Sequence, residues 1–483
     1  MQIPRTSLSK EAVLEALSAA RKDDVPWRDG KLYAYVFDGG AEVEEIGKKA
    51  FTAYLSENGL DPTTFPSLLK FENDLIDMAR RHLGGDENVV GNFTSGGTES
   101  IILAVKTARD AFRAKHPFVQ PQMVIPVSAH AAFHKAAHYL GVDLVVSAID
   151  PETYRADVAD MRAKINERTM LVVGSACSYA QGVVDPIREI AALAMEKGIL
   201  CHVDGCMGGF LLPYFRRLGA EVTDFDFRVP GVTSMSMDLH KYGLCPKGAS
   251  VVLYANESLR KHQIFACSAW TGYTMINNTV QSSKSGGPMA AAWAVLQFVG
   301  DEGYMRFAKG LLEAKNAIVA GVKDIPGLRV MGNPEMSLVA FTSDELSVFA
   351  IADEMKGRGF HVQPQLKLGD CKENIHVSIN PSNVAHTEAM LGALRESVAA
   401  VRAAGGGPEA PVAMAAMLSA QIEADTTGES LNALVASIRT GGDGAGLPGK
   451  MAETNALLNE ISPLAREKIL VAFMGNMFTP RID

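Results

Sequence analysis

Residues 199–210 read Ile-Leu-Cys-His-Val-Asp-Gly-Cys-Met-Gly-Gly-Phe. The apolar run Ile199–Val203 predicts a buried strand that carries Asp204 at its carboxyl end, just before a glycine-rich turn. Ligands collect at this edge of an open α/β sheet. A carboxylate placed there can pair with a protonated ring nitrogen, whereas an aspartate that only caps the following helix is the common alternative.

Around this stretch, short apolar runs alternate with segments of helical spacing between residues 66 and 310. This alternation predicts crossover units, a mainly parallel sheet and therefore an α/β fold for a large domain. Residues 311–405 combine a long helical pattern with two short strands and predict a smaller α+β domain. The predicted strands are Gln122–Val127, Asp143–Ala148, Met170–Val173, Ile199–Val203, Ser234–Met237, Ser250–Tyr254, Leu328–Val330 and Ser337–Phe341, and a helix is expected near Asp344–Gly359.

The two ends of the chain differ from this middle part. Residues 9–22 and 41–56 have apolar positions at helical spacing, which predicts an amino-terminal arm over residues 1–65. Residues 403–408 read as a linker to a helical tail over residues 406–483, and residues 441–446 read as a flexible loop.

Composition excludes several classes of protein. The 483 residues are 47% hydrophobic and 21% charged, which is typical of a folded soluble protein rather than a disordered or fibrous one. A net charge of -9 leaves no basic footprint for nucleic acid or acidic lipid, so we expect a small-molecule partner. Residues 1–22 lack the apolar run of a signal peptide or membrane span, which predicts a cytoplasmic protein without a membrane anchor. The six cysteines show no CxxC spacing, so neither a zinc site nor a disulfide framework is expected.

A candidate anion site lies in Thr94-Ser95-Gly96-Gly97-Thr98-Glu99-Ser100, which precedes a helical pattern. Free backbone amides and the helix dipole converge at such a helix start and favour a phosphate group. An ordinary capped helix after a glycine turn is the alternative.

Two further segments carry basic side chains. His130 follows a predicted strand, and its ring could stack on a heteroaromatic ligand, although a lone histidine is more often a structural residue. Lys241 stands in Asp238-Leu239-His240-Lys241-Tyr242-Gly243, between two predicted strands. An amine that attacks an aldehyde must be neutral part of the time, and we expect burial to lower the pKa of Lys241. A surface lysine is the alternative.

Taken in their order along the chain, these segments resemble the fold-type I pyridoxal-phosphate enzymes, and within them the sphingosine-1-phosphate lyase branch of the group II decarboxylase superfamily. The similarity runs from about residue 30 to 405 and is strongest in residues 94–100, 129–133, 202–210, 225–232 and 240–248. It implies a seven-stranded, mainly parallel sheet with a smaller carboxyl-terminal α+β domain, and pyridoxal 5′-phosphate as the cofactor.

The resemblance also implies a role for individual residues. By family position, Gly97 and Thr98 bind the cofactor phosphate, with a further contact from His240. His130 stacks on the cofactor ring, and Asp204 is the partner of the pyridine nitrogen. Lys241 is the Schiff-base lysine, and Cys206 lies near the cofactor. In this family a loop of the partner subunit closes the phosphate site. That loop resembles residues 283–287, so we expect a homodimer with shared active sites and cofactor contacts from Ser283 and Gly286.

The substrate side departs from the family pattern. Lys247 matches a cation that can hold a substrate phosphate. The family's phosphate-binding tyrosine and histidine align with Phe37 and Asp61, a further tyrosine aligns with Met275, and an arginine of the partner loop aligns with Lys284. Because Asp61 would repel a phosphate, the substrate need not be a phosphorylated long-chain base, and a cationic or hydroxylated group could bind there instead.

The resemblance implies a carbon–carbon lyase of the aldolase type. Such an enzyme cleaves the Cα–Cβ bond of a β-hydroxy amine, phosphorylated or not, to an aldehyde and an amine. Decarboxylation of an amino acid is the alternative within the same cofactor class. A non-catalytic homologue that keeps only the fold is the alternative outside it, and the intact Lys241 and Asp204 argue against that reading.

Overall fold

The computed structural model describes residues 3–408, 411–425, 428, 431 and 449–479. Its largest sheet has seven strands in the order β1-β7-β6-β5-β4-β2-β3. All of them run parallel except β7, which is antiparallel to both of its neighbours. The strands are β1 (Val90–Thr94), β2 (Gln122–Pro126), β3 (Asp143–Ser147), β4 (Thr169–Ser175), β5 (Leu200–Asp204), β6 (Ser234–Asp238) and β7 (Ser250–Tyr254).

The predicted α/β fold is therefore confirmed, and the six strands predicted for this sheet are present within two residues of their predicted ends. The prediction missed β1, whose sequence Val-Gly-Asn-Phe-Thr is only partly apolar. Buried hydrogen bonds hold this strand instead, since the side chain of Asn92 donates to Glu72 Oε1 at 2.9 Å and accepts from Gln263 at 3.0 Å.

Helices cover both faces of the sheet, as alternating side chains along the strands require. Leu171 and Val173 of β4 pack with α4 and α5 on one face, and Val172 packs with α7 on the other. The helices are α1 (Lys10–Ala19), α2 (Ala41–Ala53), α3 (Pro66–His82), α4 (Gly97–Arg113), α5 (Ala132–Leu140), α6 (Val158–Lys164), α7 (Ile187–Lys197), α8 (Leu212–Arg217), α9 (Glu257–Arg260), α10 (Gly287–Lys323), α11 (Val348–Gly357), α12 (Thr387–Ala403), α13 (Val412–Ala424), α14 (Ala452–Glu460) and α15 (Pro463–Met477).

A second, antiparallel sheet follows α10 in the order β10-β11-β13-β12. Helices α10 and α11 pack against this sheet, and α12 packs on these two helices. This matches the predicted α+β region. Its strands, with those of the short β8–β9 hairpin, are β8 (Phe265–Cys267), β9 (Met275–Asn277), β10 (Leu328–Val330), β11 (Leu338–Ser343), β12 (Gln363–Gln365) and β13 (Asn374–Ser378).

The predicted domain limits stay a prediction. The limit at 310/311 falls inside α10, a 37-residue helix that is kinked at Gly300. The helices expected in the amino-terminal arm are α1 and α2, and the tail is helical at α13, α14 and α15. The loop predicted at residues 441–446 lies outside the described residues. Within the described ranges, no helix combines the length and apolar character needed to cross a bilayer.

The carboxyl edge of the large sheet collects three turns. β5 ends at Asp204, β6 ends at Asp238, and β1 ends just before α4 begins at Gly97. Because β7 returns antiparallel beside β6, residues 239–249 lie at this same edge.

Candidate active site

Lys241 lies in the turn after β6, where its Nζ is 3.0 Å from Asp238 Oδ2. The side chain of Lys241 is 21% exposed and that of Asp238 only 2%. Burial alone would lower the pKa of Lys241. Asp238, Cys206 and Asp204 together raise this pKa by more than burial lowers it, so it lies above the ordinary value. The expectation of a lowered lysine pKa is wrong, because it did not include the carboxylate three residues earlier.

Asp204 is buried at the end of β5 and is oriented by two hydrogen bonds to Oδ1. The backbone N–H of Cys206 donates at 3.0 Å and the Ser236 hydroxyl donates at 3.2 Å. Ser236 also lies 3.3 Å from Nε2 of His202. Burial lowers the pKa of His202 to about 4, so this imidazole is neutral at physiological pH. The carboxylate therefore has a fixed direction at the edge of the sheet.

The first turn of α4 packs directly on this cluster. A Cβ atom at Gly97 would lie 2.7 Å from Cys206 Sγ and 2.9 Å from Asp238 Oδ2, so a side chain does not fit there. Thr98 follows at the exposed side of the same turn. The first backbone amides of a helix have no intrahelical partner, and the positive end of the dipole lies with them. The start of α4 can therefore bind an anion.

His240 completes the inner part of the cluster. Its Nδ1 lies 2.7 Å from the carbonyl oxygen of Ala249, and its Nε2 lies 3.8 Å from Asp238 Oδ2. Burial lowers the pKa of His240, and the charge of Asp238 offsets this only in part. A Cβ at Gly96 would lie 3.6 Å from the His240 ring, so the imidazole borders the start of α4.

His130 follows β2 at the carboxyl edge and is exposed in the single chain. Its Nδ1 accepts a hydrogen bond from the backbone N–H of Ala132 at 3.1 Å, which orients the ring at the start of α5. The predicted stacking role of this ring stays a prediction.

The cluster fits pyridoxal phosphate. The cofactor needs an amine for its aldehyde, a carboxylate for its pyridine nitrogen and amide donors for its phosphate. Lys241, Asp204 and the start of α4 provide these three groups at one edge of the sheet. The carboxylates of Asp204 and Asp238 both lie close enough to Lys241 to raise its pKa. Among the described residues, the buried Oδ1 of Asp238 has no hydrogen-bond partner, which is uncommon for a buried polar atom and fits a site that binds a further group.

Two of the residues predicted to bind substrate lie beside this cluster. Lys247 Nζ donates a hydrogen bond to the carbonyl oxygen of Tyr35 at 3.1 Å and sits 5.2 Å from the centre of the Phe37 ring. Phe37 packs edge-on against Tyr242, with ring centres 4.9 Å apart. Burial lowers the pKa of Lys247, and the charge of Lys241 lowers it further.

Asp61 and Met275 lie in other surroundings. Asp61 is exposed and accepts hydrogen bonds from the Thr63 hydroxyl at 2.6 Å, the Thr63 backbone N–H at 2.8 Å and the Thr64 hydroxyl at 3.1 Å, which lower its pKa. Met275 begins β9 in the β8–β9 hairpin. Asp61 thus shapes the turn before α3, and its assignment to the substrate site stays a prediction.

The segment predicted to reach a partner subunit is held by the amino-terminal region of its own chain. The Ser285 hydroxyl donates to the Leu55 carbonyl at 2.7 Å, and the Gly286 backbone N–H donates to the Glu57 carbonyl at 2.8 Å. Lys284 Nζ donates to the Thr279 hydroxyl at 3.2 Å. The roles of Ser283 and Gly286 toward a cofactor stay predictions.

The sequence analysis missed two residues of this site. Asp238 is the last residue of β6, just as Asp204 is the last residue of β5. The pattern of a predicted strand followed by an aspartate could therefore have identified Asp238 as a site residue. Tyr179 lies in the turn after β4, where its hydroxyl donates to Gln363 Oε1 at 2.6 Å and its ring stacks on His376 at 4.4 Å. Burial raises the pKa of Tyr179, and a hydrogen bond with Ser378 and the charge of Lys241 offset this only in part.

Comparisons with known proteins agree with this site. The model of the pyridoxal-dependent decarboxylase conserved domain matches residues 24–344, and a model of a C-terminal HTH domain of pyridoxal-dependent enzymes matches residues 408–476. The sphingosine-1-phosphate lyase of Arabidopsis thaliana is 40% identical over 81% of this chain and 72% of its own length. The solved structure of a sphingosine-1-phosphate lyase from Burkholderia pseudomallei superposes with a TM-score of 0.80 at 35% identity, over 83% of this chain and 93% of that one. The L-aspartate/L-glutamate decarboxylase of Pyrococcus horikoshii is 32% identical over 75% of this chain and 92% of its own length.

Proposed function

The chain belongs to the pyridoxal-dependent decarboxylase family, in its sphingosine-1-phosphate lyase branch, and from this we propose that it cleaves the Cα–Cβ bond of a phosphorylated β-hydroxy amine such as sphingosine 1-phosphate. It is a pyridoxal-phosphate-dependent lyase. The products of the proposed reaction are an aldehyde and a phosphorylated amine.

One observation supports the proposal most: Lys241, Asp204 and the first turn of α4 meet at one edge of the sheet, with Lys247 beside them. We assign the covalent link to Lys241 and the pyridine nitrogen to Asp204. Gly97 and Thr98 would hold the cofactor phosphate with His240, His130 would cover one face of the ring, and Cys206 would pack beside it.

Bound pyridoxal phosphate supplies an electron sink for the electron pair of the broken bond. The β-hydroxyl loses a proton as its carbon leaves as an aldehyde, and Cα takes up a proton to give the amine product. Lys241 is the group we assign to this second transfer, because its Nζ is held as an ammonium by Asp238 at 3.0 Å. Asp204 keeps its charge directed at the site through Ser236 and the Cys206 N–H.

The substrate phosphate is assigned to Lys247. Its ammonium lies over Phe37 at the mouth of the cluster, where a point cation can bind an anionic group. The family resemblance implies hydrogen-bond donors at the positions of Phe37, Asp61 and Met275, so this chain would hold its substrate phosphate with fewer donors. We further propose a homodimer in which Ser283 and Gly286 of each chain complete the cofactor site of the other.

The test is a product assay on a substrate panel. The purified enzyme is incubated with sphingosine 1-phosphate, with shorter phosphorylated and unphosphorylated β-hydroxy amines and with amino acids, and aldehydes and carbon dioxide are measured separately. We expect aldehyde release from a phosphorylated member and loss of that release in Lys241→Ala. Absence of aldehyde from every member would contradict the proposal.

Amino acid decarboxylation is the second candidate, supported by the decarboxylase of Pyrococcus horikoshii that spans most of this chain. It would use the same lysine, aspartate and stacking histidine, since both reactions need one electron sink. Carbon dioxide release from aspartate or glutamate without aldehyde formation would favour it.

A further inference from the structure

We propose that Asp238 is a positioning residue that keeps Lys241 in its ammonium form and directs it into the site, and so sets the pH at which this amine becomes reactive. This inference rests on the proposed role of Lys241. It concerns a residue that the family roles assigned above leave without a function.

The position of Asp238 follows from the alternation of side chains along β6. Ser236 and Asp238 point to the face that holds Asp204 and the start of α4, while Met237 points into the opposite core. The carboxylate is 2% exposed, its Oδ2 lies 3.0 Å from Lys241 Nζ, and its buried Oδ1 has no hydrogen-bond partner in the part of the chain that the structure describes. A buried carboxylate with so few partners depends on its cation, so the two side chains hold each other in place.

The hydroxyl of Ser250 does not replace that cation. Ser250 is the partner of Asp238 in the register of β7, and its hydroxyl lowers the pKa of Asp238 less than the charge of Lys241 does. The Ser250 Oγ also donates to the Met237 carbonyl at 3.1 Å and lies 2.9 Å from the Ser100 hydroxyl. Lys241 is thus the main neutralising contact of Asp238. The His240 ring is also within reach, with Nε2 at 3.8 Å, but burial lowers its pKa and so disfavours its charged form.

The groups around Lys241 come from four elements. β6 and the turn after it carry Asp238, His240 and Lys247. The end of β5 and the turn after it carry Asp204 and Cys206, and the turn after β4 carries Cys177 and Tyr179. The fourth element is α4, whose dipole begins at Gly97. Burial alone would raise the pKa of Asp238. Lys241 and His240 lower this pKa by more than burial raises it, so the carboxylate is charged at neutral pH. Among these groups Asp238 makes the direct contact with Nζ, whereas Oδ1 of Asp204 already takes two hydrogen bonds.

The ion pair has one chemical consequence. An ammonium can give a proton to a carbanion, whereas a neutral amine can take one, and Asp238 stabilises the first form. A single carboxylate thereby favours Lys241 as the proton donor to Cα. It also requires Lys241 to lose a stabilised proton before it can attack an aldehyde, which delays cofactor binding at low pH.

The experiment measures the ionisation of Lys241 in Asp238→Asn, which keeps the shape and removes the charge. The full-length protein, freed of cofactor, is labelled with trace acetic anhydride between pH 7 and 11, and the Lys241 peptide is quantified by mass spectrometry. In parallel, the absorbance of the cofactor-loaded protein is titrated with pH. We expect the labelling midpoint to fall by at least about one pH unit, which is about a tenfold increase in labelling below the midpoint.

Two matched variants separate this effect from a loss of stability. Asp226→Asn removes another buried carboxylate, one that pairs with Arg228 and Arg216, and should lower the melting temperature without moving the midpoint. Asp238→Glu keeps the charge and should retain a midpoint close to that of the unaltered chain. If Asp238→Asn does not fold, Asp238→Ser takes its place with the same expected shift.

An unchanged midpoint in Asp238→Asn or Asp238→Ser, or an equal shift in Asp226→Asn, would overturn the inference. Neither readout needs a substrate, so a panel without any aldehyde product would contradict the proposed function and leave this test intact.

Discussion

The two sides of the candidate site are built in different ways. The predicted cofactor side is assembled from strand ends of the large sheet and a helix start. An ion pair joins Lys241 to Asp238 there, and hydrogen bonds join Asp204 to Ser236 and Cys206. The predicted substrate side would combine Lys247 and Phe37, which lie beside the cluster, with Asp61 and Met275, which lie in a surface turn and a short hairpin.

This difference separates what the fold preserves from what it lets vary. A group at the end of a buried strand keeps its place because moving it would disturb the core. A group on a surface turn can change with little cost to stability. Chemistry common to the family therefore belongs to the sheet edge, and the choice of substrate belongs to the turns.

The largest effect is expected on the cofactor side, for Lys241→Ala. Without the amine, the enzyme loses its covalent link and its proposed proton donor, so turnover should fall below detection. The absorbance of the lysine-linked cofactor should disappear with it, while circular dichroism stays native. Turnover that persists would place the essential amine elsewhere and break the comparison.

Asp204→Asn should be next, with kcat reduced on the order of 10²–10³-fold, the range found when one preorganised electrostatic partner is removed. The amide cannot balance a positive charge on the pyridine nitrogen. Ser236→Ala is the graded control, because it removes one of the two hydrogen bonds to Oδ1 and leaves the carboxylate. Steady-state kinetics should rank Asp204→Asn well below Ser236→Ala, and the reverse order would contradict the assignment.

Lys247→Met tests the substrate side. A hydrogen bond to a charged group contributes about 1.5–3 kcal/mol, so KM for a phosphorylated substrate should rise by about 10–100-fold. KM for the unphosphorylated analogue should change little. A variant that loses activity equally on both substrates would show that Lys247 serves the cofactor side instead.

The smallest effect is expected for Phe37→Tyr, which restores a donor beside Lys247. One added hydrogen bond is worth about 1 kcal/mol, so kcat/KM for a phosphorylated substrate should improve by no more than about fivefold. The matched variant Asp61→His should have a comparable effect only if Asp61 reaches a neighbouring active site in the proposed dimer. As a control, the kinetics of both variants are measured with the unphosphorylated analogue. Lowered activity of Phe37→Tyr on the phosphorylated substrate would contradict the proposed position of the substrate phosphate.

The sequence predicts which residues meet at the carboxyl edge of the sheet for a physical reason. Strand ends such as Asp204 and helix starts such as Gly97 are encoded by local patterns, namely an apolar run followed by a turn, or glycines followed by a helical period. The order of strands in the sheet then brings these local features to one edge.

What could not be predicted depends on contacts between distant segments. The pKa of Lys241 is raised because Asp238 lies close to its Nζ and because Cys206 and Asp204 are also near. The spacing of these residues along the chain does not specify the distances between their side chains. The stacking of Tyr179 on His376 joins the large sheet to the second sheet across almost two hundred residues. The place of Asp61 depends on the fold of a surface turn, where an alignment in a variable region gives little guidance.

The central claim is that Lys241 is the amine that binds the cofactor, and borohydride reduction tests it most directly. The purified protein is reduced with its cofactor bound and digested, and the modified peptide is identified by mass spectrometry. We predict a pyridoxyl group on Lys241 alone. A modified Lys247 with an unmodified Lys241, or a protein that retains no pyridoxyl group, would contradict the claim.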